Sequence, residues 1–343
     1  MVELPNRIII TGGCGFIGSN FIHHLLHSYS EVPAGSCCPD HTEYSCVESS
    51  KKIEVLNIDK MTYAANERNL GGVSGYEGYS LIKADISDSE TIMEIFEDFK
   101  PQCVVHFAAE SHVDRSIESG YEFILSNVLG TQVLLEASRK IGVEIFMHVS
   151  TDEVYGSIMD GSFTETDLLR PSSPYSSSKA ASDLVALSYG HTYGTPVIVS
   201  RCTNNYGPRQ HPEKLVPMVI SNALSDAAIP VYGSGLQVRD WLYVKDHCEA
   251  LIRLISDGVP GQVYNIAAQS KPTNLEMIDA ILSHMGEKKH LISHVEDRMG
   301  HDFRYSIDDS KLRDLDWCPA VGFNKGVELT VDWYLNNLNH FSP

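Results

Sequence analysis

The sequence predicts an α/β protein built on a doubly wound parallel sheet, with a smaller α/β lobe in the C-terminal part of the chain. Three observations support this fold class. A glycine-rich turn follows the first apolar segment, and short β-branched segments alternate with helical ones over the first half of the chain. Hydroxyl and carboxyl side chains also follow directly on a buried segment, as expected at the end of a strand that carries a site.

The first predicted strand, Arg7–Thr11, leads directly into the turn Gly12-Gly13-Cys14-Gly15-Phe16-Ile17-Gly18 and then into a helical segment. Gly12 allows a tight turn, Gly15 lets the backbone approach a pyrophosphate, and Gly18 lets the helix pack close to the strand. N–H groups at the start of the helix then face the anion. This placement indicates a Rossmann-type dinucleotide site, with a G-x-x-G-x-x-G spacing instead of the G-x-G-x-x-G of simple dehydrogenases.

The second predicted strand, Ile53–Asp59, ends in the acidic residue that should hold the adenosine ribose. Before it, the segment Ser28–Lys51 is polar and contains three cysteines, which indicates an inserted surface loop. A carboxylate at Asp59 repels a ribose 2′-phosphate, so the predicted cofactor is NAD and not NADP. The neighbouring Lys60 slightly weakens this inference.

The third and fourth predicted strands are Ser80–Ile86 and Cys103–Ala109. Asp85 and Ile86 lie where an adenine ring would sit, although a strand cap and a core residue explain them equally well. The fourth strand ends in small residues that let a cofactor lie against the backbone. His106 within it is predicted to be a packed core histidine and not a catalyst.

Candidate catalytic residues follow the predicted strand Ile145–Val149. Because consecutive strand residues point to opposite faces, Asp152 and Glu153 can serve one pocket only if the strand has given way to a loop. Downstream, Tyr175 opens a helical segment that places Lys179 on the same face. The ammonium is expected to lower the phenol pKa from its ordinary value of about 10, which makes Tyr175 a candidate base.

The domain organisation follows from the order of these elements. We expect an NAD-binding Rossmann domain over residues 1–200 and a mainly substrate-binding lobe over residues 201–343, beginning after the strand Val197–Arg201. A late strand over Gly261–Ala267 and a terminal helix over Gly326–Leu338 follow. Segments of this later chain are expected to return to the first domain, so the two parts are interleaved.

Composition excludes several classes of function. The chain has 343 residues, 43% of them apolar, a net charge of -19 and a pI near 5.1, which argue against a nucleic-acid or membrane surface. No secretory signal and no run of membrane-spanning length is visible, so a cytoplasmic location is expected. The eight cysteines show neither a zinc spacing nor a disulfide framework, so reduced thiols and no metal site are predicted.

The glycine turn, Asp59, Ser150, Tyr175 and Lys179 together resemble the extended short-chain dehydrogenase/reductase superfamily. Within it, the stretch Ser150-Thr151-Asp152-Glu153-Val154-Tyr155-Gly156 resembles the nucleotide-sugar 4,6-dehydratases. The likeness covers nearly the whole chain. It includes the segments Asp59–Ala64, Ala108–Ser116, Tyr206–Pro217, Arg239–Val244 and Asp297–Asp302. The departures are the insertion before the second strand and Met299, where the family usually has proline.

The resemblance implies conversion of dTDP-glucose or UDP-glucose to the 4-keto-6-deoxy sugar nucleotide, a step toward deoxysugars such as rhamnose. Thr151 and Tyr175 match the pair around the sugar 4-hydroxyl, and Lys179 belongs to the same set. Glu153 matches the base that removes the carbon-5 proton, and Asp152 matches the acid that protonates the departing carbon-6 hydroxyl. Bound NAD carries the hydride from carbon 4 to carbon 6, so no external reductant is needed.

Motifs and resemblance together define the candidate binding residues. The candidate cofactor contacts are Gly12, Gly15, Phe16, Ile17, Gly18, Asp59, Lys60, Thr62, Asp85, Ile86, Phe107, Ala108, Ala109, Ser150, Tyr175 and Lys179. The candidate substrate contacts are Ser111, His112, Asn204, Lys214, Leu215, Arg239, Asn274, Arg298 and His301. Guanidinium groups among them suit bidentate contact with phosphate, and an anionic substrate needs local positive charge on this acidic chain.

Two other functions are compatible with the fold. A 4-epimerase would use Tyr175 and hydride transfer but has no need for the adjacent Asp152 and Glu153. A dinucleotide-sensing scaffold would not need Tyr175 or Lys179. The nucleobase stays open, because thymine and uracil differ by one methyl group, worth only about 1 to 3 kcal/mol in an apolar pocket.

The resemblance also implies a homodimer. Its interface would be a four-helix bundle with two-fold symmetry, formed by the helix predicted over Asn127–Ile141 and the helix after Tyr175. Apolar residues suited to burial on these helices are Leu134, Leu135, Ala180 and Leu184.

Overall fold

The computed structural model describes residues 4–29, 52–297 and 300–341. Within these ranges the strands are β1 (Arg7–Thr11), β2 (Glu54–Asp59), β3 (Tyr79–Lys83), β4 (Cys103–His106), β5 (Ile145–Thr151), β6 (Val197–Cys202), β7 (Asn204–Tyr206), β8 (Ile229–Tyr232), β9 (Trp241–Tyr243), β10 (Val263–Ile266) and β11 (Ile292–Val295). The α-helices are α1 (Phe16–Tyr29), α2 (Ser89–Phe99), α3 (Val113–Glu118), α4 (Tyr121–Phe123), α5 (Thr131–Ile141), α6 (Pro174–Tyr193), α7 (Leu215–Leu224), α8 (Val244–Asp257), α9 (Asn274–His284), α10 (Ser310–Arg313) and α11 (Phe323–Asn336). Shorter helical turns cover Glu67–Leu70, Asp152–Tyr155, Lys289–Leu291 and Leu338–Phe341, and a π-helical segment covers Ile124–Gly130.

The described residues form a seven-stranded parallel sheet in the order β10-β6-β5-β4-β1-β2-β3. Helices α1 and α8 pack on one face, and α2, α5 and α6 pack on the other. Both faces are therefore covered, which explains why the strands are almost continuously apolar. The predicted fold class is confirmed. The strand order reverses between β1 and β4, which opens a crevice at the carboxyl ends of these strands.

Two predicted strands end earlier than expected. β3 ends at Lys83 because the Asp85 carboxylate accepts a hydrogen bond from the N–H of Ser87 at 2.9 Å and turns the chain. β4 ends at His106, and the next residue, Phe107, makes the last backbone hydrogen bond to β1, at 3.1 Å. The small residues after β4 therefore lie in a loop at the crevice and not in the strand.

The predicted crossover helix is interrupted at its start. Helix α5 begins at Thr131, and the preceding turns are π-helical. The side chain of Asn127 in this segment accepts a hydrogen bond from the N–H of Glu110 at 2.8 Å. It also donates to the Glu110 carbonyl at 3.0 Å and to the hydroxyl of Ser178 at 2.8 Å. The irregular segment thus ties the loop after β4 to helix α6.

His106 is a core histidine, as predicted. Its side chain is buried, and its two ring nitrogens lie 2.7 Å from the Thr11 hydroxyl and 2.9 Å from the Thr131 hydroxyl. Burial, followed by the charge of nearby groups, holds its pKa well below the usual value. It therefore stays neutral and joins β1, β4 and α5.

The cysteines that the structure describes are free thiols. Cys14, Cys103, Cys202 and Cys248 are buried, as expected for small apolar residues, whereas Cys318 is exposed. The other three cysteines lie in the predicted insertion, which falls outside the described residues except for its first two positions at the end of α1.

The later part of the chain forms the second lobe. Strands β7 and β9 pair with each other, β8 pairs with β11, and helices α7, α9 and α11 pack with them around a separate apolar core. The chain nevertheless returns to the main sheet, where α8 covers one face and β10 pairs with β6. Across residues 4–29, 52–297 and 300–341, no helix is both long and apolar enough to cross a membrane.

Candidate active site

The glycine turn after β1 is closely packed against backbone. Gly12 has a φ of +72°, and a Cβ atom there would lie 2.7 Å from the backbone of Ala108. A Cβ at Gly18 would lie 2.4 Å from the carbonyl oxygen of Gly12. Side chains are thus excluded at both positions, and the amino end of α1 faces the crevice at close range.

Asp59 ends β2 beside this turn. Its carboxylate accepts hydrogen bonds from the backbone N–H groups of Cys14 at 2.9 Å and Met61 at 2.8 Å. Burial raises its pKa, and the two hydrogen bonds oppose that shift. The ammonium of the neighbouring Lys60 forms an ion pair with Asp85 at 2.8 Å. It is therefore paired with a carboxylate that follows β3 and not with Asp59.

A cavity of about 320 Å³ lies along the carboxyl ends of the strands. Every cofactor candidate and every catalytic candidate named from the sequence lines it. The wall also contains residues that sequence reasoning did not select: Ile58, Ala64, Ala65, Ala84, Glu110, Ser126, Val149, Cys202, Thr203, Asn205, Gln210, His211 and Glu213. The cavity therefore unites segments from both parts of the chain.

The two candidate acids lie directly after the end of β5. Thr151 is the last strand residue, and its hydroxyl accepts a hydrogen bond from the N–H of Glu153 at 3.3 Å, which starts a 3₁₀ turn. The predicted change from strand to turn is confirmed. Because of this turn, Asp152 and Glu153 both line the cavity although they are adjacent in the sequence.

Asp152 is held in a dry environment. Its side chain is 2% exposed, and its Oδ2 atom has no hydrogen-bond partner among the described residues. Burial raises its pKa well above the usual value, and the neighbouring charge of Glu153 adds to the shift. Burial therefore favours the protonated form of Asp152, which suits a general acid. Glu153 is only half-buried.

Helix α6 positions the phenol and the ammonium. It starts at Pro174 behind a capping box, in which the Ser173 hydroxyl accepts from the N–H of Ser176 at 3.1 Å. Tyr175 and Lys179 follow on one face, and both are buried in the cavity wall. The Lys179 ammonium donates a hydrogen bond to the carbonyl of Val149 at 2.8 Å, which joins α6 to β5.

The predicted low pKa of Tyr175 is wrong for the protein alone. Burial raises the pKa of Tyr175 well above its ordinary value, and the charge of Glu153 raises it further. Burial likewise lowers the pKa of Lys179. Both groups lie where water is excluded, and desolvation disfavours the charged form of each. The shared helix face was predictable from the sequence, but the dehydration of that face was not.

The substrate candidates divide into two groups. Ser111, Asn204 and Lys214 line the cavity, and the Lys214 ammonium donates to the Ser111 carbonyl at 3.1 Å. His112 lies beside the wall, with its Nε2 atom 3.6 Å from a carboxylate oxygen of Glu213. Leu215 begins helix α7 directly after Lys214.

The other substrate candidates gather in the second lobe. Arg239 is buried, and its guanidinium donates to the carbonyls of Val238 and Asp302, both at 2.8 Å, and stacks on the ring of Tyr305. Asn274 and His301 both contact Gln237, through backbone and ring nitrogen respectively. None of these three residues lines the cavity described above, and Arg298 falls outside the described residues. Their role in binding stays a prediction.

A polar cluster near the cavity brings together side chains from three segments that carry the family resemblance, although none of these side chains was selected as a site residue. The Arg115 guanidinium lies 3.6 Å from the ring centre of Tyr63 and 3.6 Å from the carboxylate of Glu213. The ring of His211 packs edge-on against Tyr63. The cluster joins the loop after β2, helix α3 and the segment after β7. No local signal marks it, because its members are far apart in the sequence.

The geometry fits a dinucleotide. The glycine turn excludes side chains at the helix start, a carboxylate ends β2, and the cavity continues from there to Tyr175 and Lys179. Near Tyr175 the cavity presents a buried carboxyl group with a raised pKa, a second carboxyl group and a phenol, which together suit proton transfers at adjacent carbon atoms. No group of three or more side chains suited to hold a metal ion occurs in the part of the chain that the structure describes.

Comparison with known proteins gives consistent matches. The sequence model of a family described as GDP-mannose 4,6 dehydratase matches residues 9–330. The dTDP-glucose 4,6-dehydratase of Xanthomonas campestris pv. campestris (strain B100) is 43% identical, over 96% of this chain and 93% of that protein. The crystal structure of the dTDP-glucose 4,6-dehydratase DesIV from Streptomyces venezuelae, with NAD and dTDP bound, is 42% identical. It superposes with a TM-score of 0.89 over 98% of this chain and 99% of that chain.

A second kind of enzyme matches at lower identity. The UDP-glucose 4-epimerase of Thermus thermophilus, in complex with NAD, is 30% identical. Its TM-score is 0.81 over 96% of this chain and 99% of that chain. The fold is therefore shared between the two reactions, and only the site separates them.

The glycine turn leads to a first prediction. In the Gly18→Ala variant the new methyl group would meet the Gly12 carbonyl oxygen at 2.4 Å, so the start of α1 has to move away from the crevice. We expect the purified variant to retain little dinucleotide and to lose roughly 1 to 3 kcal/mol of stability. Dinucleotide released on denaturation and urea unfolding measure the two effects. Gly75→Ala is the control, because no atom lies within 4 Å of its Cβ position; equal dinucleotide content in both variants would contradict the prediction.

Proposed function

The chain belongs to the dTDP-glucose 4,6-dehydratase family, and we propose that it removes water from a nucleotide-linked glucose with the help of bound NAD. One observation carries the proposal. Asp152 and Glu153 both line the cavity next to Tyr175 and Lys179, and burial favours the protonated form of Asp152. A neutral acid beside a carboxyl group is what the loss of water requires and what an epimerisation does not.

The residues divide the proton transfers between them. Tyr175, with the hydroxyl of Thr151 beside it, takes the proton of the sugar 4-hydroxyl. Glu153 removes the proton from carbon 5, which is acidic once carbon 4 is a ketone. Asp152 donates its proton to the departing carbon-6 hydroxyl, which leaves as water. Glu153 returns its proton to carbon 5 at the end. Tyr175 has then gained one proton and Asp152 has lost one, so exchange of one proton at each group with water restores the starting states.

Bound NAD would supply the hydride acceptor at carbon 4 and the hydride donor at carbon 6, and its oxidised form would add a positive charge to the cavity. The residues that would hold it are the glycine turn, Asp59 and the loop after β4, which line one continuous cavity. The Lys179 ammonium would add a second positive charge in the cavity wall, on the same helix as Tyr175. These charges favour the phenolate that the burial of Tyr175 opposes.

The substrate that we propose is dTDP-glucose, and the product is the 4-keto-6-deoxy sugar nucleotide, a precursor of deoxysugars such as rhamnose. The relatives at 40 to 44% identity are dTDP-glucose enzymes, whereas the epimerases on this fold are 30% identical or less. UDP-glucose is the alternative, because the two nucleobases differ by a single methyl group.

The buried thiols, among them Cys103 and Cys248, suit a reducing compartment, and we propose that the protein works in the cytosol.

A second prediction concerns the reaction itself. The purified protein should convert dTDP-glucose to a product lighter by one water, without added reductant, because the hydride returns to the sugar. It should prefer dTDP-glucose to UDP-glucose by about tenfold or more in kcat/KM, as one methyl group allows. Mass spectrometry of the sugar nucleotide measures both. Appearance of the 4-epimer without loss of water would contradict the proposal and favour the epimerase.

A third prediction separates the two acids. Glu153→Gln keeps the size of the side chain but abolishes the base, so we expect kcat to fall by about 10² to 10⁴ and solvent deuterium to stop entering carbon 5. Asp152→Asn should lower kcat by a similar factor but still allow that exchange, because Glu153 is intact. Mass spectrometry of recovered substrate in deuterium oxide distinguishes them. Exchange in the Glu153 variant and none in the Asp152 variant would mean that the two roles are reversed.

We also propose that the protein is a homodimer built on α6 and the segment before α5. Leu134, Leu135 and Ala180 are buried against their own chain and cannot form an interface. Other apolar side chains on these elements are exposed. They are Tyr121, Ile124, Leu129, Leu184 and Tyr193, and each of these residues is 41 to 68% exposed. A second copy of the same surface would cover them in a two-fold arrangement.

A fourth prediction tests this interface. Leu184 is 60% exposed, and the Leu184→Glu variant places a charge where the proposed dimer is dry. We expect the dissociation constant of the dimer to rise by about tenfold or more, so that the variant becomes monomeric at micromolar concentration by light scattering. Leu168→Glu is the control, because Leu168 is also exposed but lies on neither element. A dimeric Leu184→Glu variant would overturn this choice of interface.

A further inference from the structure

Gly13, the second glycine of the turn after β1, packs against a buried side chain of β2. A Cβ atom at Gly13 would lie 2.4 Å from the Oδ1 atom of Asn57 and 2.5 Å from the Cδ1 atom of Ile22. Asn57 is completely inaccessible. Neither Gly13 nor Asn57 lines the cavity, so the dinucleotide contacts described above do not explain either residue. The turn and Asn57 are fitted to each other with no room for a side chain between them.

The side-chain amide of Asn57 uses its full hydrogen-bonding capacity. Its oxygen accepts a hydrogen bond from the N–H of Gly13 at 3.0 Å. Its nitrogen donates to the hydroxyl of Tyr79 on β3 at 3.1 Å and to the sulfur of Cys14 at 3.5 Å. A side-chain amide offers one acceptor oxygen and two N–H donors, whereas an ionised aspartate lacks the donors and a leucine lacks both. The contacts of this site therefore require an asparagine.

Asn57 and Asp59 hold two successive N–H groups of the turn. They lie two residues apart on β2, so their side chains point to the same face of the sheet. Asn57 accepts from the N–H of Gly13 at 3.0 Å, and Asp59 accepts from the N–H of Cys14 at 2.9 Å. Gly13 is buried, so its N–H needs an acceptor inside the protein. Two side chains of β2 thus set the path of the chain through the turn.

The path of the turn decides where the first N–H groups of α1 point. Helix α1 begins at Phe16, and the first N–H groups of a helix have no acceptor within the helix. Phe16, Ile17 and Gly18 line the cavity at this end, where the pyrophosphate of a dinucleotide would lie. A shift of the turn would move these groups together. Asn57 can therefore act on a bound dinucleotide through the turn, without touching it.

We propose that Asn57 is a positioning residue for the dinucleotide. Its amide fixes the turn so that the first N–H groups of α1 face the pyrophosphate, and this slows the release of NAD. The inference rests on the proposed function. In that function the protein has to keep the reduced dinucleotide between the two hydride transfers, because its loss at that stage stops the reaction.

The substitution that tests this role is Asn57→Leu. Leucine has about the same size as asparagine but leaves the buried N–H of Gly13 without its acceptor, so the turn has to relax. We expect NAD to leave the variant about tenfold or more faster than it leaves the wild-type protein. Asn57 touches no reacting atom, so activity in the presence of excess NAD should stay within about twofold of the wild-type value.

Asn265→Leu is the matched control. Asn265 on β10 is also completely inaccessible, and its amide accepts from the hydroxyl of Tyr155 at 2.9 Å. It donates to the carbonyls of Phe163 at 3.2 Å and Asp308 at 3.0 Å. The control thus removes a buried amide with the same number of contacts, but outside the cavity wall. Both variants should be less stable in urea, and only Asn57→Leu should release NAD faster.

The release rate is measured on the NAD-loaded proteins. An NAD glycohydrolase is added to destroy free NAD and prevent rebinding, and the NAD that remains bound is extracted and measured at a series of times. Parallel samples are diluted without the glycohydrolase and assayed with dTDP-glucose, with and without excess NAD. Asn57→Leu should lose activity on dilution and regain it when NAD is added. Asn265→Leu should respond to added NAD no more than the wild-type protein does.

The outcomes separate positioning from a purely structural role. A wild-type release rate in Asn57→Leu, or an equally fast release in Asn265→Leu, overturns the inference. Activity that excess NAD fails to restore also overturns it, because Asn57 would then be needed for more than retention of the cofactor.

A second variant keeps the inference testable if Asn57→Leu does not fold. Tyr79→Phe removes one acceptor of the Asn57 amide and leaves the bond to Gly13 in place. It should release NAD about two- to tenfold faster than the wild-type protein, and an unchanged rate would overturn the inference. An inactive wild-type protein would contradict the proposed function, while the release rates would still test the role of Asn57.

Discussion

The reversal of strand order between β1 and β4 is the constraint on which the rest of this structure depends. All seven strands of the main sheet are parallel, so their carboxyl ends meet at one edge and the chain must cross back over a face after each strand. Where the crossovers change direction, no helix covers that edge, and a crevice remains. The glycine turn, the small residues after β4 and the turn after β5 all lie along it. The close approach of Gly12 to Ala108 shows how tightly the two strands beside the reversal pack.

Burial of the side chains in the wall of this crevice decides their chemistry. Burial acts on every ionisable group in the same sense, toward the neutral form, yet its consequence differs with the group. It protects the proton of Asp152, which suits an acid, but it opposes both the phenolate of Tyr175 and the ammonium of Lys179. Nearby charges are therefore needed to stabilise the phenolate of Tyr175 and the ammonium of Lys179. The same dehydration thus provides the acid and creates the need for fixed counter-charges.

The chain passes from the main sheet to the second lobe and then returns to the main sheet, which connects the two parts. Strand β7 and the loop after it contribute Asn204 and Lys214 to the cavity, and α8 and β10 then return to the main sheet. The cluster of Tyr63, Arg115 and Glu213 joins loops from both parts around the cavity. Because the contacts that close the site are shared, neither part forms the cavity by itself.

The sequence by itself determined the fold class, the glycine turn, the acid at the end of β2 and the shared face of Tyr175 and Lys179. These features depend on residues within one or two turns or strands of each other, so local periodicity and composition reveal them. Only the tertiary structure decided that β4 ends at His106, because Phe107 makes the last backbone hydrogen bond to β1. It also decided the π-helical start of the crossover and the burial of Arg239 beneath backbone carbonyls. The direction of each pKa shift was likewise decided by the tertiary structure. Desolvation of a side chain depends on every chain segment packed around it and not on its neighbours in the sequence.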